Sequence, residues 1–89
     1  MPTIWIPPLL RKFTDEKESI QVAGTSLREA IDALEAKYPA LQSRLCQGDQ
    51  VRPGLSIVID GQVVRSGLSE PVGENSEVHF IPAIGGGSP

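Results

Sequence analysis

Between Thr25 and Pro39 the chain reads TSLREAIDALEAKYP, and this stretch constrains the fold more than any other. Ser26 followed three residues later by Glu29 forms a capping box, the signature of a helix start. Leu27, Ile31, Leu34 and Tyr38 fall at i, i+4, i+7 and i+11, a single apolar stripe, while Arg28, Glu29, Asp32, Glu35 and Lys37 lie elsewhere. Pro39 disfavours helical geometry at Tyr38 and ends the helix there. One amphipathic helix cannot bury its own stripe, so the remaining chain must supply a sheet for it to cross.

Strand patterns flank the helix on both sides. Thr3 to Ile6 alternates, with Ile4 and Ile6 on one face and Trp5 on the other, before Pro7 and Pro8 remove ladder donors. Ser19 to Val22 directs Ile20 and Val22 inward and is expected to pair with the first strand as a hairpin, across the long charged connection LLRKFTDEKE. After the helix, Leu41 and Leu45 suggest an irregular turn against the core, and QGDQVRPG reads as a loop. Leu55 to Ile59 alternates again, Asp60-Gly61 marks a tight turn, and Gln62 to Arg65 returns as a short strand. A turn at Gly73, Glu74 and Asn75 leads into Glu77 to Pro82, where Val78 and Phe80 face one way and His79 and Ile81 the other. The order is close to ββαβββ: an α+β fold, with one main helix packed across one face of a mixed sheet and the last strand central beside the first.

Composition narrows the function. The chain has 89 residues, and one this short buries only ~60% of its unfolded surface, which leaves little room for an enclosed active site. The net charge of −3, with Lys and Arg dispersed, offers no basic stripe for nucleic acid. Cys46 and His79 are the sole cysteine and histidine, too few for a protein-only zinc site and insufficient for an internal disulfide. A cytoplasmic, metal-free chain that binds no cofactor of its own is expected. IWIPPLL is too short to span a bilayer and lacks the flanks of a signal peptide, so no membrane partner is expected.

After the last strand the chain closes as AIGGGSP. Three consecutive glycines lose more entropy on ordering than any other residues would, which makes them a poor end to a fold and a good thread. The chain divides accordingly into a domain over 1–84 and a flexible tail over 85–89.

In this order, the strand pair, the capped helix, VIDGQVV and the closing GENSEVHFIPAIGGG resemble the ubiquitin-like β-grasp sulfur carriers of the molybdopterin-synthase small-subunit and thiamine sulfur-carrier family. The openings IPPLLRKFT and TSLREAIDALEAKYP are most similar to members serving cysteine or secondary-metabolite synthesis. The resemblance covers almost the whole chain. It implies a protein that is a substrate and not an enzyme: an E1-like adenylyltransferase/sulfurtransferase uses ATP to adenylate the C-terminal glycine, sulfur replaces the adenylate, and a sulfur-accepting synthase consumes the thiocarboxylate. Set against the family pattern, Gly85, Gly86 and Gly87 form the thread, Gly87 is the adenylation and thiocarboxylate site, and Ser88 and Pro89 are surplus. A proform cut between Gly87 and Ser88 by a zinc metallopeptidase of the JAMM type accounts for the surplus; a non-activated relative and residues added by cloning are the plainer readings.

Ile81, with Val58 and Trp5, is placed by strand period on the sheet face away from the helix, and with Ile84 it makes a candidate partner surface. A covering loop or a shifted register is the plain alternative. Cys46 reads as a small buried hydrophobe more than as a sulfur relay, since nothing basic flanks it. His79 reads as a surface strand residue without an identifiable partner, and Arg11, Lys12 and Arg65 as solvated charges. The same diglycine would serve a protein modifier conjugated to lysines, and a glycine tail would also suit a non-catalytic subunit that inserts it into an enzyme. A plant-type ferredoxin shares the fold but needs four cysteine ligands.

Overall fold

The computed structural model describes residues 1–48, 50–52 and 54–82. Its main sheet has five strands: β1 (Thr3–Trp5), β2 (Ser19–Gln21), β5 (Leu55–Ile59), β6 (Gln62–Val64) and β7 (Glu77–Pro82), in the order β2-β1-β7-β5-β6. Three of the four ladders are antiparallel, and β1 runs parallel to β7, so the first and last strands sit side by side at the centre. The expected mixed sheet with a central last strand is therefore the observed one.

The helix α1 spans Leu27–Lys37 and buries Leu27, Ala30, Ile31 and Leu34. Its start is the capping box in a shifted form. The Ser26 hydroxyl accepts from the Glu29 N–H at 3.2 Å, and the Glu29 carboxylate reaches past Ser26 to Thr25, accepting from its N–H at 2.8 Å and its hydroxyl at 3.0 Å. These bonds hold the Glu29 carboxyl below its ordinary pKa. Tyr38, expected at the end of the apolar stripe, is half-buried at the helix terminus, and Ala30 takes a fully buried place in the core.

Sheet register fixes what α1 covers. Ile20, Ile4, Val78 and Ile59 form one row across β2, β1, β7 and β5, while Phe80, Ile57 and Val64 form the next on the same face. With Ile6, Leu41, Leu45, Leu68 and Val72 they complete the core under the helix.

Two regions read as connections have structure of their own. The charged segment after β1 makes a 3-10 helix over Pro8–Phe13, started by the favourable placement of proline in a first turn. Fully buried Thr14 fastens it: its hydroxyl lies 3.2 Å from the Arg11 carbonyl and 3.1 Å from the Lys17 carbonyl. The stretch expected to be a plain loop, 47–54, contains all but the first residue of a small hairpin, β3 (Cys46–Gln47) paired with β4 (Gln50–Val51). Strands of two residues carry too little alternation to show in sequence. Asp60 and Gly61 both have positive φ (51° and 86°), the two-residue turn that matches strand twist.

Gly24 precedes the helix at φ 156°, and a Cβ there would lie 2.8 Å from the Ala30 nitrogen. Gly24→Ala is expected to lower stability by more than about 1 kcal/mol in urea unfolding, because backbone stands in the way. Glu29→Gln is expected to lower the urea midpoint at pH 7. The folded carboxyl has the lower pKa, so its contribution is present above the ordinary value of 4.5 and disappears as pH falls through the folded value. The two chains should therefore converge in midpoint in acid.

Candidate functional site

The sheet face opposite α1 is built by the same registers that build the core. Trp5 of β1 sits beside His79 of β7, His79 beside Val58 of β5, and Val58 beside Val63 of β6, forming a continuous row across four strands. Ile81 lies two residues along β7 from His79, on the same face. Trp5, Val58 and His79 are half-buried, whereas Val63 and Ile81 are exposed at 59% and 43%. The three described members of the anticipated surface, Trp5, Val58 and Ile81, thus share the sheet face opposite α1, in the register expected and not a shifted one.

Two features of the face were not legible, the membership of Val63 and the partner of His79. Val63 lies on a strand too short to declare which side is inward. His79 has a partner that only the β1–β7 register supplies: its ring stacks on the Trp5 indole, with centroids 5.4 Å apart and planes 3° from parallel. This stack ties the central strands together on the outer face and presents a flat aromatic surface. The Trp5 indole N–H is covered and has no acceptor among the described residues.

The face ends where the thread begins. β7 ends with Ile81 and Pro82, and Ile84, the tail residues Gly85, Gly86, Gly87, Ser88 and Pro89, and the boundary at 84/85 lie outside the described residues. Whatever docks on Trp5, His79, Val58 and Ile81 is therefore held beside the start of the tail.

Cys46 is elsewhere, half-buried on β3. Burial, with the negative charge of Glu35 nearby, pushes its thiol up to about 11. Glu35 is itself raised, by burial and by Asp32. A thiol held protonated in this way is unsuited to sulfur relay, because the thiolate is the reactive form. Among the described residues no group of three His, Cys, Asp or Glu side chains could hold a metal ion, and no helix is long and apolar enough to cross a membrane.

Comparison with known proteins agrees in sequence and in fold. The family model described as the ThiS family matches residues 4–87. The sulfur carrier protein CysO of Mycobacterium tuberculosis (strain H37Rv) is 32% identical over 92 residues, covering 96% of this chain and 97% of its own. The crystal structure of M. tuberculosis CysO superposes with a TM-score of 0.86 at 27% identity, covering 94% of this chain and all of that one. The Amycolatopsis orientalis BexX/CysO complex contains a chain with a TM-score of 0.88 at 26% identity, covering 98% of this chain and all of that one. A small archaeal modifier protein from Methanosarcina acetivorans shares the fold at 22% identity, with a TM-score of 0.78 over 97% of this chain and 95% of its own.

The Cys46 environment gives a direct check. Relative to the ordinary thiol value of 9.0, a pKa of about 11 leaves about 100-fold less thiolate at pH 8. Iodoacetamide alkylation of the folded chain should be slower than that of the urea-unfolded chain by at least this factor, followed by mass spectrometry.

Proposed function

The chain belongs to the ThiS family and is a sulfur carrier of that type, and we propose that its working group is the carboxylate of Gly87, exposed by removal of Ser88 and Pro89. The observation that carries this reading is the extent of the family match, which runs through Gly87 and stops there. An E1-like enzyme adenylates Gly87 with ATP, with release of pyrophosphate. A sulfur nucleophile then displaces AMP from the acyl carbon, leaving a thiocarboxylate that a synthase consumes as its sulfur donor. The carrier acts as co-substrate and supplies no acid or base to these steps, and it works in the cytoplasm with its partners. A JAMM-type metallopeptidase is the proposed trimming enzyme.

The physical logic supports the assignment. An acyl carbon that must reach a buried nucleotide needs a slender leader, and Gly85, Gly86 and Gly87 have no side chains to obstruct a channel or shield the carbonyl. A proline ring with fixed φ, as at Pro89, suits such a channel badly. The face of Trp5, Val58 and Ile81, with Ile84 beyond the described residues, is the proposed docking surface for the activating enzyme and the synthase. Its place at the root of the thread lets one contact hold the fold and aim the tail. The CysO chain solved together with BexX supports a partner enzyme for carriers of this shape.

Incubating the chain that ends at Gly87 with its activating enzyme, ATP and a sulfur source should add 16 Da, one oxygen exchanged for sulfur, in intact mass spectrometry. Gly87→Ala should lower that yield at least tenfold with an unchanged unfolding midpoint. Ile81→Asp, on an exposed position, should slow thiolation about tenfold or more while leaving the fold intact. Normal thiolation of Gly87→Ala overturns the assignment of the acyl site, and normal rates for Ile81→Asp overturn the docking face.

A further inference from the structure

β2 lies at one edge of the main sheet, and its ladder to β1 fixes where its backbone groups point. The Ile6 N–H donates to the Glu18 carbonyl at 2.8 Å and the Val22 N–H to the Pro2 carbonyl at 3.0 Å, with Ile20 opposite Ile4 between them. In an antiparallel pair, residues that bond to the neighbouring strand alternate with residues whose N–H and C=O point away from it. Glu18, Ile20 and Val22 therefore bond to β1, and Ser19 and Gln21 direct two donors and two acceptors outward. Among the described residues none of these four groups has a backbone partner. An edge in this state is a template for a further strand.

The same edge is open toward α1. Ala33 and Ala36 are small, and with Val22 and Ala23 they line a groove of about 360 Å3 between the helix and the strand. A second groove, of about 380 Å3, runs past Ser19 and Ile20 to Tyr38. Met1, Gln21 and Lys37 line both, so the two form one trough along the strand. Lys17 lines the second groove as well, and no carboxylate among the described residues lines either. Neither lysine forms an ion pair among the described residues, and Glu16 and Glu18, their neighbours in sequence, stay outside the trough. On a chain of net charge −3, a trough whose charged side chains are lysines alone is a local reversal of sign.

We propose that this edge receives an extended, acidic segment of a partner protein, which adds as a further strand beside β2. The backbone decides the form of the occupant, because outward N–H and C=O groups at alternate residues are matched by another extended chain. Alternate side chains of that segment face α1, where the trough admits aliphatic residues the size of valine against Val22 and Ala33. The lysines decide its charge, since carboxylates beside Lys17 and Lys37 are attracted and cations repelled. The trough opens on the α1 side of the sheet, whereas Trp5, Val58 and Ile81 lie on the opposite face. A partner seated on β2 thus leaves that face open to a second protein. The inference is independent of the acyl chemistry proposed for Gly87.

The test is amide hydrogen exchange and 15N–1H shift mapping of the full chain, titrated to about 1 mM with an end-blocked octapeptide of alternating valine and glutamate. In the free chain the Ser19 and Gln21 amides should exchange fast while Ile20 and Val22 are protected. With peptide, exchange at Ser19 and Gln21 should slow about tenfold or more, and shifts should move along β2 and at Ala33, Ala36 and Lys37. Gln21→Pro removes an outward donor without touching a bond to β1. It should weaken binding about tenfold or more, as should the Lys17→Glu/Lys37→Glu double variant on exposed positions; unchanged core amide shifts verify each fold, and the lysine variant decides where Gln21→Pro disturbs β2. The absence of shifts at the highest peptide concentration overturns the proposal, as do shifts centred on Trp5 and Ile81 or equal binding of the corresponding valine–lysine peptide. Slow exchange of Ser19 and Gln21 in the free chain also overturns it, and recovery of the fast rate on dilution then assigns the edge to a second copy.

Discussion

The parallel pairing of β1 with β7 is the contact on which the rest depends. It joins the beginning of the described chain to its end, sets Ile4 against Val78 in the core, and in the same stroke sets Trp5 against His79 on the outer face. Because strand side chains alternate, a slip of one residue would send Val78 to solvent and His79 under the helix. The Trp5–His79 stack and the Ile4–Val78 contact thus stabilise the same register from opposite sides. Neither strand alone is long enough to hold it, since β1 has three residues.

That register also explains why much of the fold was legible. Capping, stripe and stop signals were all local to residues 25–39, and the alternation of Leu55–Ile59 and Glu77–Pro82 declared their inward faces. What escaped reading was short or non-local. The β3–β4 hairpin has two residues per strand, Thr14 acts through carbonyls three residues to either side in a segment that looked merely charged, and the stacking partner of His79 lies 74 positions away in sequence. Val63 joined the outer face through pairing with Val58, a relation that composition does not encode.

The candidate site divides along the same line. Trp5, Val58 and Ile81 were assigned by strand period and share the sheet face opposite α1. Cys46, with the most obvious chemistry in the chain, is disqualified by its surroundings: burial and a neighbouring carboxylate keep its proton on. Reactivity here follows from environment more than from residue type.

In the proposed function a face and a thread would solve different halves of one problem, and the magnitudes show why both would be needed. Ordering three glycines in a partner's channel costs roughly 3–6 kcal/mol of backbone entropy, with no side chain in the thread to offset it. Fully burying a large aliphatic side chain returns about 1.5–3 kcal/mol, so covering Val58, Val63 and Ile81 is of the right order to compensate, even though Val58 is already partly covered. A thread without the face would bind its channel too weakly, and a face without the thread would dock with nothing to deliver. Trp5 and His79 sit one step behind Ile81 on the same face, so in that reading the contact that supplies the free energy lies on the strand that leads to the thread.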